Sequence, residues 1–117
     1  MRLLWPVLLI VLTSCGPTTA RQAAEGYLGA LDRLDFGAAA GYVSDGGRAN
    51  FEELRRLYDK LSPTEQKKFR VTDWAITADA VAGDSATVDF SFNHGSRGQL
   101  TLHRDGAFWK VDQRKTF

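Results

Sequence analysis

The hydrophobic period of this chain changes once, near residue 70, and that change restricts its fold more than any other feature of the sequence. Before it, apolar residues recur three and four apart: Ala24, Tyr27, Leu28, Leu31 and Leu34, then Leu54, Leu57, Tyr58 and Leu61. After it they alternate: Trp74, Ile76 and Ala78, then Ala86, Val88, Phe90 and Phe92, then Leu100 and Leu102, then Trp109 and Val111. The first spacing is that of a helix face and the second that of a strand face. Gly83-Asp84 and Asp105-Gly106 punctuate the second half as tight turns. Helices followed by an antiparallel meander predict an α+β domain, with the N-terminal helices packed on one face of a four-stranded sheet.

Local signals set the boundaries. Thr19 with Gln22 is a capping-box pattern and predicts a helix over 20–34. Asp35 caps a second helix carrying Phe36, Ala39, Ala40 and Val43, and Ser44-Asp45-Gly46-Gly47 reads as a loop. Asn50 with Glu53 opens a third helix. Ser62-Pro63-Thr64-Glu65 starts one more turn, ending near Phe69. His94 to Gly98 reads as a loop, and the last strand as residues 107–113.

The first twenty residues are different in kind. Met1-Arg2 is a short basic start, residues 3–12 (LLWPVLLIVL) are uninterrupted apolar sequence, and Thr13-Ser14-Cys15-Gly16 are small. That order is a secretory signal. Ten apolar residues are too few for a bilayer span, which needs about 20, and Pro6 breaks the segment as a helix. Leu12-Thr13-Ser14-Cys15 resembles the bacterial lipobox, which implies cleavage before Cys15, a diacylglycerol (palmitate-type) thioether on its sulfur and acylation of the new amine. Lipidation would also account for the chain's only cysteine, which in an exported protein otherwise suggests a free thiol. The expected organisation is a signal peptide at 1–14, a lipidated tether at 15–19 and one domain at 20–117. The expected location is the bacterial cell envelope. Gly16 rather than Asp after the cysteine favours the outer membrane, facing the periplasm, in a host with two membranes.

Loss of Arg2 with the signal takes Lys+Arg from 15 to 14, equal to the 14 Asp+Glu, so the mature domain is neutral. Nucleic acid leaves a basic excess on one face, and the pairs Arg55-Arg56, Lys67-Lys68 and Arg114-Lys115 read as solvated surface.

The order of elements resembles the nuclear-transport-factor-2-like superfamily, and within it the small bacterial lipoproteins of unknown function. The matching features are Tyr27-Leu28-x-x-Leu31 in the first helix, Leu34-Asp35-Phe36 at the start of the second, Gly83-Asp84-Ser85-Ala86-Thr87-Val88 and the closing Phe108-Trp109-Lys110-Val111. They span roughly residues 20 to 113. The resemblance implies a curved sheet and helices forming a cone around an apolar pocket.

Enzymes of that superfamily carry a carboxylate or histidine inside the cone. Here the expected inward positions, Trp74, Ile76, Val88, Phe90, Phe92, Leu100, Leu102, Trp109 and Val111, are apolar, while Asp73, Asp89 and His103 alternate outward. No catalytic residues are therefore assigned. His94 and His103 lack the partners of a metal site, and no cofactor is expected. The remaining candidate is an aromatic-lined pocket of Tyr27, Leu31, Tyr58, Trp74, Phe90, Phe92 and Trp109, holding a small apolar ligand. The alternatives are a protein-interaction or scaffold subunit of an envelope assembly and, less favoured, a small isomerase or dehydratase. Thr87, Asp89, Ser91, Thr101 and His103 make the outer sheet face polar, which favours a monomer or a weak homodimer.

Overall fold

The structure, a computed structural model, describes residues 18–112. Cys15, the signal segment and the tether up to Pro17 lie outside the described residues, as does the C-terminal end of the expected last strand. The elements are α1 (Ala20–Asp32), α2 (Phe36–Gly41), a 3₁₀ turn (Asp45–Gly47), α3 (Arg48–Asp59), α4 (Pro63–Phe69), β1 (Ala75–Ala82), β2 (Ser85–Phe92), β3 (Ser96–Asp105) and β4 (Phe108–Val111). The architecture is α+β: helices, then one antiparallel sheet in the order β1-β2-β3-β4. α1 lies across the sheet and touches all four strands, whereas α3 packs on α2 and the 3₁₀ turn.

Most helix starts follow from side-chain caps. Thr19 Oγ1 accepts the Gln22 amide at 3.0 Å, Asp35 Oδ1 that of Ala38 at 3.1 Å, and Ser62 with Glu65 forms a complete capping box ahead of Pro63. Two boundaries differ from the pattern. α1 stops at Asp32 rather than Leu34 because Leu34 takes a left-handed φ of 58°. The Leu34 amide bonds Leu31 O and the Asp35 amide bonds Ala30 O, the pairing of a Schellman stop with leucine where glycine is usual. α3 begins at Arg48, before Asn50, because Ser44 to Gly47 is not an open loop: Ser44 Oγ caps a 3₁₀ turn that runs straight into the helix.

The core lies between α1 and the sheet. Ala23, Ala24, Tyr27 and Leu28 on the helix meet Val88, Phe90, Leu100, Leu102, Trp109 and Val111 on the strands, all buried. Of the expected inward positions, Trp74, Ile76 and Phe92 are only partly covered. β1 departs from simple alternation. Its register passes from Ile76↔Phe90 to Ala78↔Asp89, leaving Thr77 as a bulge. Ala78 therefore turns outward, and Asp79 and Val81 fall opposite the inward Val88 and Ala86. The expected loop at 94–98 is also shorter. Asn93, His94 and Gly95 make a left-handed turn with positive φ throughout, and Ser96 already pairs with Phe92. The outer edge of β4 is closed by the segment after α2: the Ser44 amide bonds Val111 O at 2.8 Å and the Val111 amide bonds Tyr42 O at 2.7 Å, a short parallel bridge.

One close approach is testable. A Cβ on Gly26 of α1 would lie 2.3–2.5 Å from the ring and hydroxyl of Tyr42. Alanine ordinarily improves a helix by up to about 1 kcal/mol over glycine. At this position Gly26→Ala should instead cost about 1–3 kcal/mol by overpacking, read as a lower urea midpoint. In a Tyr42→Ala background the same change should turn neutral or stabilising. A raised midpoint in the otherwise native chain would mean the Tyr42 ring swings aside freely.

Candidate functional site

The seven pocket residues fall into two groups. Tyr27 on α1, Phe90 on β2 and Trp109 on β4 are buried, at 4, 8 and 5 % exposure. Leu31, Tyr58, Trp74 and Phe92 are half-buried. Helical spacing puts Leu31 one turn beyond Tyr27 on the same side of α1. Strand alternation puts Phe92 beside Phe90, with ring centroids 5.4 Å apart. Trp74, just before β1, lies against α1, its ring edge 3.9 Å from where a Gly29 Cβ would stand. Leu31, Trp74, Ile76 and Phe92, joined by Val71, all pack on the core without being fully covered. They form a half-open apolar end to the helix–sheet interface.

Tyr58 sits in a separate aromatic group. Its ring is 5.4 Å from Phe36 of α2, with the Arg55 guanidinium 5.7 Å over the Phe36 ring. Tyr27 pairs with Phe51 at 6.2 Å, deep between α1 and α3. Burial pushes the Tyr27 phenol well above the ordinary tyrosine range, so it stays a neutral hydroxyl at any physiological pH.

The polar groups near this interface are few. The bulge brings Asp79 to the helix-facing side, where Arg21 of α1 meets it at 3.6 Å. Alternation over β1 had hidden this residue, because the pattern of one strand does not reveal a bulge set by its partner. A second group lies at the β4 edge. Buried Ser44 donates to Asp112 Oδ1 at 3.5 Å, and His103 Nδ1 is 3.8 Å from Asp112 Oδ2. The carboxylate stands between hydroxyl and imidazole, so the His103 ring does not meet the serine as the histidine of a serine–histidine pair does. This group instead joins the 42–44 segment to the sheet. His94 pairs with Asp73 at 3.1 Å in the open.

Among the described residues no three His, Cys, Asp or Glu side chains gather as a metal site, and no helix is long and apolar enough to cross a membrane. No protein-family model matches the chain, and no curated protein matches it in sequence.

Proposed function

We propose that this chain is a lipid-anchored cell-envelope lipoprotein whose domain holds a small apolar ligand without transforming it, and that its helices and sheet form a nuclear-transport-factor-2-like cone. The observation that carries the reading is the half-open apolar end at Leu31, Val71, Trp74, Ile76 and Phe92. These five side chains are all apolar, which suits a hydrophobic molecule. The carboxylate on the helix-facing side of β1, Asp79, is exposed and engaged by Arg21 at 3.6 Å. The anchor rests on residues 1–15 of the sequence. From Cys15 to Ala20 the chain can extend about 17 Å, which keeps the domain beside its bilayer.

Native mass spectrometry of the full chain, extracted in detergent from its host, tests the ligand. A bound apolar molecule is expected. Trp74→Ala should reduce its affinity about tenfold or more, since a buried aromatic contact contributes about 1.5–3 kcal/mol. Unchanged occupancy in Trp74→Ala, or a wild-type chain that is always empty, would remove the proposal. Conversion of the molecule by the wild type would make the domain an enzyme.

A second reading has its own support. Leu34, Leu57 and Phe69 stand 38, 48 and 60 % exposed in the helical half. Large apolar side chains left open in this way suit a protein contact, as a subunit of an envelope assembly would need. Cross-linking in the envelope from Leu57 would capture a partner in that case.

A further inference from the structure

The sheet face turned away from the helices has a groove of about 660 Å³, lined by Thr77, Asp89, Ser91, Arg97 and Gln99 together with Phe90, Gly95 and Gly98. That size is within the usual range for small-molecule sites, about 300–1,000 Å³. Its five polar residues share one face by strand geometry. Asp89 and Ser91 alternate with the inward Val88, Phe90 and Phe92, and the register sets Gln99 opposite Asp89 and Arg97 opposite Ser91. Thr77 joins them as the bulged residue of β1, and bulges are frequent where a strand must re-aim a side chain beside a site.

The chemistry of the groove is divided between its two ends. Gln99 Nε2 donates to Asp89 Oδ1 at 2.8 Å, which fixes a carboxylate and an amide side by side. The second carboxylate oxygen and the amide oxygen remain as acceptors for hydroxyl groups. Arg97 is diagonal to Asp89, a spacing of about 7–8 Å between such positions, and among the described residues it makes no ion pair or hydrogen bond. A free guanidinium fork matches a carboxylate through two parallel hydrogen bonds. The polar groups of the lining are side chains that can orient a ligand, and Asp89 opposes a multiply charged anion. We propose that this outer groove binds a small hydroxylated carboxylate, a sugar acid, with Arg97 on the carboxylate and the Asp89–Gln99 pair on the hydroxyls.

The site is on the opposite sheet face from the apolar end, so it stands or falls separately from the function proposed above. Calorimetric titration of the full chain in detergent with D-glucuronate, methyl glucoside and acetate tests it. Saturable binding of glucuronate is expected, tighter than that of the uncharged glucoside or of acetate. Arg97→Gln should weaken glucuronate about tenfold to a hundredfold, as loss of a charge-assisted pair does, and leave the glucoside unchanged. Asp89→Asn should weaken both sugars, and Thr101→Ala, on the same face outside the groove, neither. Absence of saturable glucuronate binding, equal binding by Arg97→Gln, or acetate bound as tightly as glucuronate would overturn the proposal. Thermal melts of the three variants, expected to match the native chain, separate these results from misfolding.

Discussion

Replacing Trp109 by alanine should lower the stability of the domain by about 3–5 kcal/mol, the usual cost of deleting a buried large aromatic side chain. Trp109 is 5 % exposed on the helix-facing side of β4, two residues from the fully buried Val111. Its strand is only four residues long, so few other contacts hold it. The Arg104 guanidinium, 6.0 Å from the Trp109 ring, covers its outer edge while pairing with Asp84 at 2.8 Å. Alanine would leave a cavity under α1 and strip that cation of its ring. Against a typical total of about 5–15 kcal/mol, such a loss should bring the melting midpoint close to growth temperature. The check is a urea or thermal unfolding curve. An unchanged midpoint would contradict the packing of β4 against α1.

Cys15→Ser should have an all-or-none effect on location. The chain has one cysteine, so no other sulfur can accept the diacylglycerol. A single acyl chain gives only marginal membrane binding, about 10⁴ M⁻¹, while two or more hold stably. The wild type should therefore pellet with membranes and incorporate a labelled fatty acid. Cys15→Ser should do neither, with the melting midpoint of its domain unchanged. A wild type that takes up no label would end the lipoprotein proposal while leaving the fold untouched.

The readable parts of this fold are those decided within a few residues. Thr19, Asp35 and Ser62 cap helices because each bonds an amide three positions on. The alternation of Val88 and Phe90 with Thr87 and Asp89 announces both the strand and its buried face, and Tyr27, Phe90 and Trp109 are buried as inward positions should be. What escaped depends on partners distant in the chain. Thr77 bulges only because β2 offers one fewer residue there, and that single slip exchanges Ala78 for Asp79 on the inner face. Arg97 belongs to a strand because three successive residues accept positive φ, two of them not glycine, which composition does not advertise. Leu34 in a left-handed stop is hidden for the same reason. The four half-buried pocket residues were legible as apolar. Their partial exposure was not, since it depends on how far the helices extend over the sheet.

The parallel bridge between Val43 and Val111 fixes the order in which this molecule can be completed. It joins the segment following α2 to the final strand, and α1 itself touches β4 as well as the other strands. A chain that emerges N-terminus first, from a ribosome or through a translocation pore, therefore presents α1 long before its seat exists. Ala23, Ala24, Tyr27 and Leu28 must wait in water, or against a chaperone, until residues 108–111 arrive. Pairings this remote in sequence are slow to form and leave apolar surface open to aggregation meanwhile. Closure is then a single late event, and a chain truncated before Phe108 should stay protease-sensitive throughout rather than fold in part.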